Sequence, residues 1–494
     1  MNLTKYLMLD RRLLNPQAME NVGLQAVPPK KDILHNPLFV QDQPWEIRID
    51  NGYPNVIYDR DEGLFRCYYT LFTEDLDTEK TTSRERATRA YQPRTDRITS
   101  LAYAESKDGI HWIKPKLDRV EWRGNTKNNL LFPYAHGTGV MLDFHETDPK
   151  KKYKLVTKVE IPGQETFMAV AFSPDGKDWS QLIPWPEYNP PADSHNLPFW
   201  NEKERCYMLL SRVWRDGIRI TTISQSRDFL HWSEPKEALR GYGFEQQIYS
   251  MPVFYWEGLY LGIASLIHEG DRKEENFDTV DCQLTWSADA EHFDFVAPGQ
   301  YLIPRGKGHY PTGEFDCGCI YASPPLIDGE GNMWLYYMGG NGRHTNFRES
   351  SLARAQWLPD RFAALLPRRK DEESLLTTNR LRFNGNRLEI LAEALEPEKP
   401  ILLEAQVHEI WTGAPLTGYT FAESHLEETQ GWISINWGKS LQELNGRSGC
   451  LKLRFKNLIL FALRGEISID GHRLWEGADI SLENKSEKYL KNKS

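Results

Sequence analysis

Apolar and polar positions along this chain alternate in short runs, and helical spacing is almost absent. A period of two marks strands with one buried face. One pairing recurs five times: an apolar strand, a charged or glycine-bearing turn, then an aromatic-rich strand. It joins Asn55-Val-Ile-Tyr-Asp59 to Phe65-Arg-Cys-Tyr-Tyr69, and Val140-Met-Leu-Asp143 to Tyr153-Lys-Leu-Val-Thr157. It then joins Leu197-Pro-Phe-Trp200 to Cys206-Tyr-Met-Leu-Leu210, and Pro252-Val-Phe-Tyr255 to Leu259-Tyr-Leu-Gly-Ile263. The last copy is Pro325-Leu-Ile-Asp328 with Met333-Trp-Leu-Tyr-Tyr337. Four copies lead, one strand later, into a Ser-x-Asp turn closed by an aromatic ring: Ser106 to Trp112, Ser173 to Trp179, Ser226 to Trp232 and Ser287 to Phe293. The serines lie 67, 53 and 61 residues apart. A supersecondary unit repeated at that interval with short strands predicts a β-propeller of five blades. The fifth blade ends in Ser351-Leu-Ala-Arg-Ala355 without the turn.

After Leu366-Pro-Arg-Arg-Lys-Asp-Glu-Glu373, a polar linker, alternation resumes in Arg380–Phe383, Leu388–Leu391, Ile401–Glu404, Trp432–Asn436, Cys450–Phe455 and Leu458–Ala462. These strands predict a β-sandwich. The chain is thus expected to be all-β, with a propeller over 1–368 and a sandwich over 374–483. Residues 1–50 read as an extended lead-in, and the charged insertion Thr73–Arg97 as a solvated excursion.

The 494 residues accommodate two domains. Sixteen Trp, 22 Tyr and 21 Phe suit blade cores first and sugar-stacking platforms second. A net charge of −10 without a long basic block argues against nucleic acid, although a local arginine cluster could still attract an anion. The six cysteines show neither zinc-knuckle spacing nor a disulfide framework, and Cys67 and Cys206 fall inside strands. No run is long enough to span a membrane, and Met1-Asn-Leu-Thr lacks an apolar signal core. The expected location is cytoplasmic, or secreted or periplasmic if a signal was trimmed. No cofactor or metal set is expected, and oligomeric state is not legible.

Propeller geometry sorts the acids. The Ser-x-Asp turns face away from the pocket, so Asp108, Asp175, Asp228 and Asp289 are expected to cap their own turns. The segments preceding each innermost strand face the pocket: Arg48-Ile-Asp50-Asn-Gly52, Tyr134-Ala-His136-Gly137, Asp193-Ser-His195-Asn196, Glu245-Gln-Gln-Ile-Tyr249 and Glu314-Phe-Asp316-Cys-Gly318. Converging carboxylates are what glycoside hydrolysis needs, one to protonate a leaving oxygen and one to attack or activate water. Return loops add Trp214, Arg215, His268 and His344, and the lead-in adds Trp45 and Glu46, as groups for sugar faces and hydroxyls.

This architecture resembles the glycoside hydrolase clan of families 32, 43 and 68, most closely the family 32 branch. The stretches Leu416-Thr-Gly-Tyr-Thr-Phe421, Gly431-Trp-Ile-Ser-Ile-Asn-Trp437 and Leu451-Lys-Leu-Arg-Phe455 are similar to that branch's sandwich. The branch's Asn-Asp-Pro-Asn-Gly, Arg-Asp-Pro and Glu-Cys motifs are absent. The carboxylate rim and the resemblance together imply an exo-acting glycosidase on a neutral sugar of an oligosaccharide or glycoside, furanosides among the candidates, with Asp50 as nucleophile or base. The resemblance implies Asp193 as acid, with Glu245 as the alternative, and His136 where the clan has a stabilising Asp. Glu314 and Asp316 are expected to bind hydroxyls. Asp50→Asn is expected to cut kcat by orders of magnitude with the melting temperature nearly unchanged. Rival readings are a β-mannoside-type phosphorylase, using His268, Arg215, Arg343 and His344 for phosphate, a sialidase, and a carbohydrate-binding propeller without catalysis.

Overall fold

The computed structural model describes residues 3–186, 192, 194–429 and 431–470. The protein is all-β apart from short helices, and no helix among the described residues is long and apolar enough to cross a membrane. It divides into two compact units, one of residues 26–362 and one of residues 1–25 with 363–494.

The larger unit is built from antiparallel meanders. The first runs Asn55–Asp59, Leu64–Glu74, Ile98–Ser106 and Trp112–Ile113; the second runs Ala135–Leu142, Tyr153–Val159, Phe167–Ser173 and Ile183–Pro184. The third runs Leu197–Asn201, Cys206–Arg215, Ile218–Ser226 and Lys236–Arg240. Next comes a ten-stranded sheet holding two further meanders, one centred on Leu259–His268 and one on Met333–Gly340. They are joined by the parallel pair Val280 and Cys319. The inner segments touch in succession. Asn55 Nδ2 donates to Thr138 O (2.9 Å), Asn196 N to Gly137 O (2.8 Å) and Ser194 Oγ to Tyr249 O (2.9 Å). Val56 N donates to Ser323 Oγ (2.9 Å), which brings the last meander back to the first. Glycine is required where these segments cross: a Cβ on Gly139 would collide with Asn196 O.

The Ser-x-Asp turns are all capped as the sequence predicts. In the first, Asp108 Oδ1 accepts from Ile110 N (2.9 Å) and His111 N (2.8 Å), and Ser106 Oγ accepts from Gly109 N (2.9 Å). The last meander lacks this turn because its outer strand comes from the other end of the chain. Lys30–Lys31 pairs with Ser350–Trp357, and Phe39 bridges Leu352. The lead-in is therefore partly sheet.

Two boundaries differ from the sequence reading. Residues 1–25 belong to the smaller unit, not with residues up to 368: Thr4–Leu7 pairs with Leu458–Ile469, and Leu14–Glu20 pairs with Ser374–Ala394. Their partners lie more than 350 residues away, so no local pattern announces them. The separate strands expected at 380–383 and 388–391 are one strand, Ser374–Ala394, whose register shifts between Phe383 and Leu388. Around it pack Leu376, Phe383, Ile390, Val407, Leu453, Phe455 and Leu463. Alternate burial along Ser448–Lys456 is the period of two read from the sequence.

The insertion Thr73–Arg97 is exposed over most of 79–96, as a solvated excursion would be, but it is ordered by short helices and one buried ring. It folds into Leu76–Lys80 and Ser83–Arg86 and buries Tyr91, whose hydroxyl donates to Asp75 Oδ2 (2.9 Å). The Arg48 guanidinium stacks 4.1 Å from the Tyr91 ring.

Candidate active site

The segment Asp50-Asn-Gly-Tyr-Pro-Asn55 forms the floor of the place where the inner segments meet. Gly52 has φ +69°, and Tyr53 has φ 41°, a left-handed conformation costly for a side chain that recurs at functional sites. Asn55 fixes the turn by donating to Tyr53 O (2.9 Å) while its Oδ1 accepts from Val140 N (3.0 Å).

Asp50 is the carboxylate at this floor. Arg48 Nε donates to its Oδ1 at 3.0 Å and an Arg348 nitrogen at 2.8 Å. Its backbone carbonyl accepts from Ser350 Oγ (2.8 Å). The side chain is 21% exposed, and among the described residues nothing donates to Oδ2. Burial pushes the carboxyl's pKa up, but Arg348 and Arg48, then His344 and Arg97, outweigh it and hold the group well below the usual carboxylate range. Asp50 thus stays ionised, one oxygen tied and the other presented.

Around it stand aromatic and imidazole rings. Tyr53 stacks 6.4 Å from Tyr249 and lies 6.2 Å from the His136 ring; Tyr249 lies 4.6 Å from His344. Asn51 joins the parts, accepting from Arg348 (2.6 Å) and donating to Tyr53 Oη (2.7 Å). His344 Nδ1 meets Tyr321 Oη at 2.9 Å, and burial, reinforced by Arg348, keeps its imidazole neutral. His136 Nδ1 meets Glu160 Oε2 at 2.7 Å, and Lys158 binds the other oxygen at 2.6 Å. Burial acts against ionisation of Glu160, yet His136 and Lys158 hold its carboxyl well below the usual range. His136 Nε2 has no partner among the described residues.

Of the other expected site residues, His195 is buried beside Tyr53, its Nε2 donating to Asn55 Oδ1 (2.9 Å), with burial pushing its pKa down to about 3. Trp214 is 49% exposed and carries the Arg219 guanidinium 4.3 Å from its ring. Arg215 turns instead to Glu237 (3.1 Å). Glu245 is exposed on the rim, next to Glu269, which pairs with Arg219 (2.6 Å). Asp193 lies outside the described residues.

Four expectations are corrected. Glu46 is a buried staple that accepts from Asp42 N, Tyr69 Oη and Lys114 Nζ. Trp45 donates to Asn129 Oδ1 in the core. His268 is buried against Asp281 (2.9 Å), and Asp316 is neutralised by Lys31 (2.6 Å) and bonded by Tyr337 (2.9 Å). In these four cases hydrogen bonds within the scaffold already engage the polar group. Glu314 is exposed, with Oε2 accepting from Lys307 N (3.0 Å).

Sequence reasoning missed Glu160, Arg48, Arg348 and Arg219. Glu160 follows strand Tyr153–Val159 as Glu269 follows Leu259–His268, so the return-loop rule, applied to every meander, finds it.

No family model matches the chain, and no curated protein sequence does. Among solved structures, glycoside hydrolases recur. A glycoside hydrolase of the GH130 family of mannoside phosphorylases, targeting β-1,2 mannosidic linkages in Candida mannan, matches at TM-score 0.45 and 14% identity, over 68% of this chain and 95% of that one. A glycosyl hydrolase from Bacteroides ovatus matches at TM-score 0.44 and 14% identity, over 67% and 94%. A thermostable family-43 glycoside hydrolase matches at TM-score 0.43 and 13% identity, over 63% and 91%.

Proposed function

We propose that this protein is an exo-acting glycosidase whose larger unit is a five-bladed propeller and whose smaller unit is a β-sandwich. Contacts running from the first meander through the others and back support the closed ring. The observation that carries the activity is the Asp50 carboxylate: ionised, with Oδ1 fixed by two arginines and Oδ2 presented at the floor. A carboxylate so held suits attack on an anomeric carbon or activation of water, and the arginines keep it charged. Its limited exposure supports action at a chain end. The proton for the leaving oxygen comes from Nε2 of His136 when the ring is doubly protonated: the Glu160 carboxylate accepts the Nδ1 proton and orients the ring, and transfer leaves the neutral Nδ1–H imidazole. Asp193 is the other source, and Glu160→Gln beside Asp193→Asn separates the two: the variant that loses turnover names the acid. Trp214 offers a stacking face.

In the phosphorylase reading, phosphate would meet Arg212 and Arg219, 4.7 Å and 5.7 Å from the Tyr249 ring, more than the residues expected from the sequence. Of His268, Arg215, Arg343 and His344, only His344 reaches the floor. Incubation with a panel of aryl furanosides, pyranosides and uronides, with and without phosphate, tests the proposal. Phosphate-independent release of the aryl alcohol is expected; no turnover of any glycoside by folded protein sinks it.

A further inference from the structure

Two histidines stand beside Asp50, and their partners differ in kind. His136 turns Nδ1 to a carboxylate, Glu160 Oε2 (2.7 Å), whereas His344 turns Nδ1 to a phenol, Tyr321 Oη (2.9 Å). The second pairing decides where a proton sits. Tyr321 is 2% exposed, and its hydroxyl has no other hydrogen-bond partner among the described residues. Were Nδ1 the donor, the phenolic proton would be left buried without an acceptor, at the full cost of its desolvation. The phenol therefore donates, Nδ1 accepts, and the ring proton lies on Nε2. The surroundings keep it a single proton. Burial disfavours the imidazolium most, Arg348, Arg219 and Arg212 add to it, and Asp50 opposes them without prevailing. The loop is pinned as well. The Asp278 carboxylate accepts from Thr345 N (2.9 Å) and Oγ1 (2.6 Å), and its backbone carbonyl accepts from His344 N (2.7 Å). Arg348 donates both to the His344 carbonyl and to Asp50 Oδ1, which ties this ring to the floor. His344 is half-buried there, 4.6 Å from the Tyr249 ring, and its Nε2 has no partner among the described residues.

We propose that Tyr321 is a positioning residue that fixes His344 as the Nε2–H tautomer, and that this N–H donates to an oxygen of the sugar held at Asp50. The sugar as recipient rests on the glycosidase reading of that carboxylate. An imidazole held this way keeps its one proton and gains no charge over the range where free histidine titrates. It orients the ligand, while the ring that faces Glu160 is the one equipped to move a proton; phenol and carboxylate partners set the two apart.

Long-range proton–nitrogen NMR of the full chain, labelled at its histidines, tests it, with the His344 signals assigned by their loss in His344→Gln. The wild type is expected to show the Nε2–H tautomer, unchanged from about pH 5 to about pH 8. Tyr321→Phe removes only the hydroxyl. It is expected to populate the Nδ1–H form as well and to lower kcat/KM about tenfold on an aryl glycoside that the wild type cleaves. His344→Gln, whose amide also carries an N–H, is expected to retain more activity than His344→Leu. Adding Tyr321→Phe to His344→Gln is expected to change nothing further. An Nδ1–H or charged ring in the wild type overturns the inference, as does either the wild-type tautomer or wild-type kcat/KM in Tyr321→Phe. An undiminished effect of Tyr321→Phe in the His344→Gln background, the mark of a merely structural role, overturns it too. No turnover of any glycoside by protein showing the Nε2–H ring sinks the glycosidase reading alone; turnover with an Nδ1–H ring sinks the tautomer assignment alone.

Discussion

Asp50 neutralises two buried guanidinium groups while presenting a free oxygen, so removing its charge has two effects. Asp50→Asn is expected to lower kcat by about 1,000-fold or more. It is also expected to cost about 3 kcal/mol, because Arg48 and Arg348 lose their counter-ion. This replaces the expectation of an unchanged melting temperature. The pH dependence has a definite sign. The folded carboxyl is held below its unfolded value, so its stabilisation is present above the usual carboxylate range and is lost as pH falls through the folded value. An acid limb due to Asp50 should therefore be absent from kcat/KM down to about pH 4. His195 is buried neutral, with its folded pKa near 3 and its unfolded value near 6.5. Unfolding takes up a proton between those values, so stability falls as pH drops through them, by about 1.4 kcal/mol per unit. Denaturant melts of His195→Gln should show that much less slope. At this scale Asp50 was legible because one acid preceded the first inner strand. Arg348 was not, because its link to Asp50 spans 298 residues.

The repeated turn shows what an element's sequence reveals and conceals. The Ser-x-Asp spacing is enough to predict the cap, since a carboxylate two residues on accepts the next backbone N–H groups. Asp175 accepts from Lys177 N (2.9 Å) and Asp178 N (2.7 Å), so Asp175→Ala is expected to cost about 1–2 kcal/mol without changing kcat. The next position holds Gly109 and Gly176 in two copies but Phe229 and Ala290 in the others, all at φ between 66° and 76°. The positive φ alone therefore does not demand glycine. What forbids a side chain at Gly176 is the Tyr68 hydroxyl, which donates to Gly176 O (3.0 Å) and would collide with a Cβ. Gly176→Ala is expected to destabilise, and the Tyr68→Phe background to recover part of the loss, read as a coupling in a double-mutant cycle. The exposed face of the insertion was legible from its charged residues, whereas the one buried ring that orders it, Tyr91, was not.

At the scale of the molecule, repetition made the meanders and their order legible, while the chain ends were not. Strands Thr4–Leu7 and Leu14–Glu20 complete the smaller unit, and Lys30–Lys31 completes the last meander of the larger. A fragment of residues 26–362 is expected to melt cooperatively by itself. One of residues 374–483 is expected to remain unfolded, because Leu7, Met8, Leu13 and Leu14 are missing from its core.

The central claim is that bond cleavage occurs at the floor holding Asp50, on the side away from the Ser-x-Asp turns. It is tested most directly by kcat for Asp50→Asn and Asp108→Asn on one aryl glycoside that the wild type cleaves, below both variants' melting temperatures. The account predicts a loss of about 1,000-fold or more for Asp50→Asn and wild-type kcat for Asp108→Asn. Retained turnover in Asp50→Asn with loss in Asp108→Asn would place the chemistry at the opposite face and contradict it.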